Sequence, residues 1–286
     1  MTPGEGLGEV VRDAATTSGR ASAHPEPLAD PLAGALRELA HQRRLLVALD
    51  FDGTLAPEVD DPEKARALPE ARAAVLRLNA LPNTRVAMVS GRALESLIHV
   101  TDLPDDVLLV GSHGIELRLD NPDDALALND REQEDVEVLH EVLGEVADSL
   151  DDVWLEPKPA GFALHTRLAS DRASRVAHLV ALSETAAELD NLTVRHGKNV
   201  LEFSVRSTTK GEAVEHLRRY VKADAVFYAG DDVTDEDAFA ALEAHDLGLR
   251  SGDGDTVAAY RVDGPAEVAA ALAALATFRE GDVHEQ

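Results

Sequence analysis

Short apolar runs that alternate with segments of helical spacing form the first regular pattern in the chain. Leu45–Leu49 is one such run, and runs at 86–89 and 107–110 follow it, each after a segment with apolar residues at helical spacing. Uninterrupted apolar runs of this length are typical of strands buried on both faces of a parallel sheet. Strands that alternate with helices predict an α/β core over residues 31–118.

The pattern changes over residues 119–205. Two helical segments, at 136–150 and 171–189, each precede a pair of short extended segments joined by a turn. This order predicts helix, hairpin, helix, hairpin with antiparallel strands. The α/β rhythm then resumes over residues 206–286. We therefore predict a Rossmann-like core with a parallel sheet, into which an α+β cap domain of an antiparallel sheet and two helices is inserted.

Residues 1–30 have a different composition from the rest of the chain. They are rich in Gly, Pro, Ala, Ser and Thr and show no sustained period, which predicts a loose N-terminal tail. The chain has no apolar run near the roughly 18 residues that a membrane span needs. Glu5, Glu9 and Asp13 occupy the region where a secretion signal has basic residues. We therefore expect a cytoplasmic protein.

Composition narrows the choice of partners and of chemistry. The formal net charge is -27, so attraction to nucleic acid or to an anionic membrane surface is not expected. The chain has no Cys, which excludes disulfides, a thiolate nucleophile and cysteine-bound metal. The chemistry must therefore come from carboxylates, hydroxyls, His or Lys.

Two carboxylates directly follow the first apolar run. Alternate residues of an extended segment point the same way, so Asp50 and Asp52 face one side at the carboxyl end of the strand. Ligands of open α/β sheets bind at that edge. Such a pair after a buried strand is costly unless a cation or a substrate is bound there. Taken alone, the segment is equally consistent with a turn that begins with Asp.

A second acidic cluster begins at Asp231, again after a buried strand. A helix dipole accounts for Glu236 and Asp237 at a helix N-terminus, but not for Asp231, which precedes the helix. Mutual repulsion of these acids favours binding of a hard cation such as Mg²⁺. Ser90 and Lys210 lie at a strand end and at the head of a helix, where a hydroxyl and an ammonium suit a phosphate. Taken singly, each is better accounted for as an ordinary cap or surface charge.

The order of these motifs resembles that of the haloacid dehalogenase superfamily of phosphotransferases. The shared order is Asp-x-Asp-Gly-Thr, Ser, Lys and Gly-Asp-Asp-x-x-Asp, and the resemblance extends from about Leu45 to the end of the chain. Within the superfamily, four segments are similar to the trehalose-6-phosphate phosphatases. They are the segments 89–92, 111–114, 197–202 and 230–236.

The resemblance implies roles for four catalytic residues. Asp50 would be the nucleophile that forms an aspartyl-phosphate. Asp52 would protonate the departing sugar oxygen and then activate water. Ser90 would donate a hydrogen bond to the phosphoryl group, and Lys210 would balance its negative charge.

The resemblance also implies Mg²⁺ as the cofactor. The Asp50 side chain, the Asp52 backbone carbonyl and the Asp231 carboxylate would hold the ion. Asp235 would help by fixing either the metal or Lys210.

The cap supplies the candidates for sugar recognition. Phe162, Leu164 and Leu168 are predicted to share an apolar face of one strand, opposite His165 and Arg167. The polar face of the sheet is predicted either to turn toward the active edge of the core or simply to be solvated. The resemblance favours the first interpretation. The substrate-binding candidates are Lys198 and Glu202, then Arg92 and His113 from the core, and finally His165 and Arg167.

The resemblance implies hydrolysis of trehalose 6-phosphate to trehalose and phosphate. A small-molecule sugar phosphate is then the partner, and a trehalose-6-phosphate synthase is a pathway neighbour. Three alternatives stay open: a phosphatase of sucrose 6-phosphate or mannosyl-3-phosphoglycerate, a phosphomutase, and a non-catalytic subunit that senses a sugar phosphate.

Overall fold

The computed structural model describes residues 28–59, 61–121, 128–197 and 199–285. Within them the chain forms eight α-helices and eleven strands. In chain order they are α1 Asp30–Ala40, β1 Leu45–Leu49, α2 Pro69–Asn79, β2 Thr84–Val89, α3 Leu94–Thr101, β3 Leu108–Gly111, β4 Glu116–Arg118, α4 Asp130–Asp148, β5 Trp154–Lys158, β6 Gly161–His165, α5 Asp171–Glu188, β7 Thr193–Gly197, β8 Val200–Ser204, α6 Lys210–Val221, β9 Ala225–Gly230, α7 Asp235–Ala240, β10 Leu247–Ser251, β11 Tyr260–Val262 and α8 Pro265–Glu285.

A seven-stranded sheet forms the core, in the order β11-β10-β9-β1-β2-β3-β4. Its pairings are parallel except for the edge pair β3–β4. β1 is central, and Leu49 at its end pairs with Met88 of β2 and Ala229 of β9. The loops after β1, β2 and β9 therefore leave the sheet at one edge.

The second sheet has four antiparallel strands in the order β5-β6-β8-β7. The two predicted hairpins are β5–β6 and β7–β8, and pairing of β6 with β8 joins them. One face packs on α4 and α5 through a cluster that includes Leu143, Phe162, Leu164, Leu201 and Phe203. The fold-class prediction of a parallel-sheet core with an inserted α+β cap is confirmed.

The structure differs from the predicted pattern at the end of β6. Leu168 does not continue the apolar face of Phe162 and Leu164, because β6 ends at His165 and the Leu168 side chain is 68% exposed. The chain turns at Thr166, whose carbonyl accepts a hydrogen bond from the N–H of Ala169 at 3.1 Å. This turn leads directly into α5, so the alternation that holds along a strand no longer applies.

The predicted tail at residues 1–30 falls mostly outside the described residues, which begin at 28, and α1 already begins at Asp30. None of the helices in the described ranges is long and apolar enough to cross a membrane.

Candidate active site

Asp50 stands at the carboxyl end of β1, where its backbone N–H still pairs with the carbonyl of Ala229 at 2.9 Å. Its side chain is buried, and one carboxylate oxygen lies 2.8 Å from Nζ of Lys210. The other oxygen lies 3.3 Å from the hydroxyl of Thr54, and the same hydroxyl lies 3.3 Å from a carboxylate oxygen of Asp231. Thr54 therefore sits between the two acidic motifs, a position to which sequence reasoning assigned no role.

Lys210 opens α6, whose first turn is closed by reciprocal hydrogen bonds between Thr209 and Glu212. Its Nζ lies 2.8 Å from Asp50 and 2.8 Å from Asp235. Burial opposes the charged form of Lys210, but the two carboxylates outweigh burial and raise its pKa. The ammonium is therefore held charged inside the protein.

Asp235 is fully buried and joins the parts of the site. One carboxylate oxygen accepts from Lys210 at 2.8 Å and from the hydroxyl of Tyr228 at 2.5 Å. The other accepts the backbone N–H groups of Asp231 at 3.1 Å and Asp232 at 2.9 Å. Tyr228 escaped the sequence analysis, although a tyrosine on a buried strand signals a polar partner for its hydroxyl.

The carboxylates of Asp50, Asp231 and Asp235 offer oxygens that lie within 4.8 Å of one another. Burial raises the pKa of Asp50 to about 8, although Lys210 acts in the opposite direction. Burial also raises the pKa of Asp231 to about 6, and Asp235 adds to the effect. Each oxygen of Asp235 already accepts two donors, whereas each oxygen of Asp50 accepts one and Asp231 accepts one in all. Asp50 and Asp231 therefore have more capacity to bind an ion, and their oxygens fit a hard cation such as Mg²⁺.

Gly53 allows the two acidic motifs to approach each other. A Cβ atom at this position would lie 2.0 Å from a carboxylate oxygen of Asp231, and the backbone has φ +72°. Both the space and the left-handed conformation therefore require glycine.

Asp52 faces away from this cluster of acids toward Arg92. Its oxygens accept from Nε of Arg92 at 2.5 Å and from a terminal nitrogen of the same side chain at 2.7 Å. The two residues line one side of an open cleft of about 1110 Å³, together with Glu58, Asp61 and Lys64. Asp52 and Arg92, predicted for different tasks, thus form a two-bond ion pair.

Ser90 and His113 follow β2 and β3 at the same edge. The buried hydroxyl of Ser90 accepts the backbone N–H of Arg92 at 3.2 Å, and its carbonyl accepts that of His113 at 3.0 Å. Burial lowers the pKa of His113 to about 4, and the charges of Arg195 and Lys210 add to this, so the imidazole is neutral. Its ring packs so closely on residue 91 that a Cβ there would lie 2.6 Å from it.

Arg195 connects the cap sheet with the core, and sequence reasoning missed it. It lies on β7, and its guanidinium donates to the carbonyl of Thr208 at 3.2 Å, two residues before Lys210. Arg195 pairs across the sheet with Glu202, which pairs in turn with Ala163 and, through it, with Glu156. These residues form one row on the sheet face opposite α4 and α5.

The other cap candidates cluster at the β5 side of this face. His165 lies 2.7 Å from Glu156 and stacks on Trp154 with ring centroids 5.0 Å apart. Arg167 lies over the Trp154 ring at 5.2 Å, and Lys158 pairs with Glu156 at 2.6 Å. Lys198 lies outside the described residues.

The structure thus brings Asp50, Ser90, Lys210, Asp231 and Asp235 to one edge of the core sheet, with Asp52, Arg92 and His113 beside them. It leaves Glu202 and His165 on the cap sheet, and it places Arg167 in the turn after β6 rather than on the strand that the sequence predicted.

Comparison with known proteins adds an independent finding. The family model of the trehalose-phosphatases matches residues 48–274. A trehalose-phosphate phosphatase of Mycobacterium avium is 36% identical over 258 residues, covering 84% of this chain and 62% of that protein. The chain therefore spans less than two thirds of the length of this curated relative.

Solved structures of similar fold include trehalose-6-phosphate phosphatases. A trehalose-6-phosphate phosphatase of Aspergillus fumigatus superposes with a TM-score of 0.63 at 25% identity, covering 87% of this chain and 98% of that one. The C-terminal domain of the Candida albicans enzyme gives a TM-score of 0.63 at 22% identity over 90% of this chain and 99% of that one, which supports the fold. Because the family match extends over most of the chain, the chain belongs to the trehalose-phosphatase family.

Proposed function

We propose that this protein is a Mg²⁺-dependent phosphatase that hydrolyses trehalose 6-phosphate to trehalose and phosphate through an aspartyl-phosphate. The observation that carries the proposal is the buried ion pair of Asp50 and Lys210 beside Asp231 at the carboxyl edge of the core sheet. Phosphoryl transfer needs a nucleophile, a fixed positive charge and a cation-binding carboxylate in one site. Family membership supports a phosphate ester as the substrate.

Asp50 acts as the nucleophile. One of its oxygens attacks phosphorus, and the bond between phosphorus and the sugar oxygen breaks with its electron pair remaining on the sugar oxygen. Lys210 orients the attacking carboxylate and stabilises negative charge on the phosphoryl oxygens. Ser90, at the end of the neighbouring strand, donates its hydroxyl to the phosphoryl group.

Asp52 acts as the general acid and then as the general base. It gives a proton to the departing sugar oxygen, and later takes one from the water that attacks the aspartyl-phosphate. That second attack releases phosphate and returns the Asp50 carboxylate. The side chain of Asp52 is 38% exposed, so water can reach it from the cleft.

The Asp50 and Asp231 carboxylates and the Asp52 backbone carbonyl would hold Mg²⁺. When bound, the ion would neutralise charge on the phosphoryl oxygens. Asp235 supports this set without binding the ion directly, since its oxygens accept donors from Lys210, Tyr228 and the backbone that carries Asp231.

Residues 119–205 serve as the cap, and its polar face binds the sugar. Glu202 lies half-buried in the row that leads to Arg195, and Arg195 reaches the core two residues from Lys210. A carboxylate at that position can accept hydrogen bonds from sugar hydroxyls. Lys198, close to Glu202 in the sequence, and His113 on the core complete the proposed contacts. His165 and Arg167, engaged with Glu156 and Trp154, lie further along the same face.

We propose further that the enzyme works in the cytoplasm on the product of a trehalose-6-phosphate synthase. The proposed substrate, a charged phosphorylated disaccharide that does not cross a membrane unaided, supports this setting.

Phosphate release from a panel of sugar phosphates tests the function. The panel contains trehalose 6-phosphate, sucrose 6-phosphate, mannosyl-3-phosphoglycerate and a hexose 6-phosphate, each with Mg²⁺. We expect the highest kcat/KM with trehalose 6-phosphate, without any bisphosphate activator. Faster hydrolysis of another member would reassign the substrate, and no release from any of them would refute the phosphatase activity.

A further inference from the structure

Arg92 is the residue whose surroundings fit its predicted task least well. A side chain that binds substrate needs donors free to reach it. The Arg92 side chain is only 11% exposed, and both hydrogen bonds that the Asp52 carboxylate makes with described residues come from it. These contacts tie Arg92 to Asp52 rather than to a ligand in the cleft.

The rest of the Arg92 side chain is anchored to the protein. A terminal nitrogen donates to the carbonyl of Pro62 at 2.9 Å, and the other donates to the hydroxyl of Ser96 at 3.2 Å. The Ser96 hydroxyl donates in turn to Glu63 at 2.8 Å. The guanidinium also lies over the Phe51 ring at 5.9 Å. Its position is therefore set from three sides, by residues that do not belong to the proposed chemistry.

Asp52, in contrast, has few restraints of its own. It follows a strand and precedes a glycine, its side chain is 38% exposed, and it borders the cleft. A general acid must hold its carboxylate close to the leaving oxygen, and misplacement by about 1 Å can cost roughly 100-fold in rate. A two-bond pair with a rigid guanidinium sets both the position and the plane of a carboxylate, which a single-point lysine contact does not.

We infer that Arg92 is a positioning residue for Asp52. The series of hydrogen bonds from Glu63 through Ser96 and Arg92 aligns the carboxylate of Asp52. Arg92 does not primarily bind the sugar. This inference rests on the proposed function, in which Asp52 transfers the proton. It assigns Ser96 and Glu63 a part in catalysis that no motif indicates.

Kinetics of Arg92→Met and Asp52→Asn, alone and combined, test the inference. Arg92→Met is expected to lower kcat for trehalose 6-phosphate about 10- to 100-fold, within the range for lost acid–base help, and to leave KM nearly unchanged. With an aryl phosphate, whose leaving group needs little protonation, formation of the phosphoenzyme in a single turnover should lose less. In the Asp52→Asn background, Arg92→Met should cause almost no further loss, since the two residues act as a unit.

Arg85→Met is the matched control. Arg85 also makes a two-bond pair, with Asp120 at 2.9 and 2.6 Å, but it lies near the start of β2, whereas Arg92 follows the end of that strand. Its loss should leave kcat for both substrates unchanged. Arg92→Lys keeps the positive charge but cannot donate the two parallel hydrogen bonds of the guanidinium. Its kcat should therefore lie between those of Arg92→Met and the wild type.

The kinetic results distinguish the inference from its alternatives. A raised KM with unchanged kcat would make Arg92 a substrate-binding residue, and an equal loss in the Asp52→Asn background would make its role independent of Asp52. Either result overturns the inference and leaves the phosphatase proposal intact. Wild-type kcat in Asp52→Asn would instead refute the proposed role of Asp52, and the inference would fall with it. If Arg92→Met does not fold, Ser96→Ala replaces it in the double-mutant cycle with Asp52→Asn. A smaller loss of kcat that disappears in the Asp52→Asn background supports the inference. No loss of kcat, or a loss that persists in the Asp52→Asn background, overturns it.

Discussion

The core edge and the cap face are built from the same types of charged residue in opposite environments. At the core edge, Asp50, Lys210 and Asp235 are buried, and every charge has a partner from another strand or helix. On the cap face, Glu156, Lys158 and His165 pair within one sheet, and the Glu156 side chain is 47% exposed. Exposed pairs are worth about 0–1 kcal/mol, whereas breaking a buried pair is costly.

Under the proposed function, this difference separates the residues of the chemistry from those of sugar recognition. A buried network holds reacting groups in one geometry because any displacement leaves a charge unpaired in a medium of low dielectric constant. Exposed pairs can exchange their partners for sugar hydroxyls at little cost. We therefore expect changes at the core edge to affect turnover of all substrates, and changes on the cap face to affect the choice among them.

The largest expected effect comes from Asp50→Asn. The amide keeps the shape of the side chain but cannot attack phosphorus, so phosphate release should fall to background with sugar and aryl phosphates alike. The measurement is phosphate release at saturating Mg²⁺, with a thermal melt to verify folding. Asp151→Asn, an exposed residue of the cap, should retain full activity. Near-normal turnover in Asp50→Asn would contradict the assigned nucleophile.

Metal removal should have a comparable effect on activity and a pH-dependent effect on stability. The pKa values of Asp50, about 8, and Asp231, about 6, lie above the ordinary value of 3.8. At these two carboxyls the metal-free native state therefore binds more protons than the unfolded state, and their contribution to stability should decline as pH rises from about 4 to about 8. Mg²⁺ takes the deprotonated carboxylates, so its stabilisation should grow over the same window.

Activity in excess chelator and Tm with and without Mg²⁺ at pH 5.5 and 8 test this. We expect no turnover in chelator, recovery on adding Mg²⁺, and the larger rise in Tm at pH 8. A larger rise at pH 5.5 would show that protons do not compete with the ion at these carboxylates.

Asp235→Asn should show how much the buried network at the core edge stabilises the fold. The amide removes a charge that faces Lys210 and replaces an acceptor of Tyr228 or of the backbone with a donor. Breaking a buried pair costs about 3–5 kcal/mol, and the free energy of unfolding should fall by that order. Urea denaturation measures the loss, and Asp237→Asn, on the same helix, serves as the control. A loss below about 1 kcal/mol, the size expected of an exposed pair, would mean that the network is not rigid.

The smallest expected effect concerns Glu202→Ala on the cap. Loss of a charged hydrogen bond to the sugar should cost about 1.5–3 kcal/mol, or roughly 10- to 100-fold in kcat/KM for trehalose 6-phosphate. A small aryl phosphate, which does not reach the cap, should be unaffected. Glu184→Ala on α5, behind the sheet, is the control. An unchanged ratio between the two substrates would mean that the polar face of the cap is solvated and takes no part in recognition.

Much of the fold could be predicted because buried segments are recognisable from the pattern of apolar and polar residues. The run Leu45–Leu49 is completely buried, as an apolar run in a central parallel strand must be. The three-residue strand β4 was not predicted, and Leu168 was wrongly predicted to lie on the apolar face of the cap sheet. Short edge strands and turns have no hydrophobic period that would indicate them. The pairing of β6 with β8, which joins the two hairpins, has no local signal either.

The sequence by itself determined which residues could carry the chemistry, since carboxylates placed directly after buried strands are costly unless they bind a cation or a substrate. It did not determine the partners of those residues. Only the tertiary structure brought Tyr228 to Asp235, Arg195 to the loop before Lys210, and Arg92 to Asp52. The reason is physical: local spacing dictates where a side chain leaves the backbone, but a hydrogen bond between residues 40 or 160 positions apart exists only once strands and helices from distant segments have packed together.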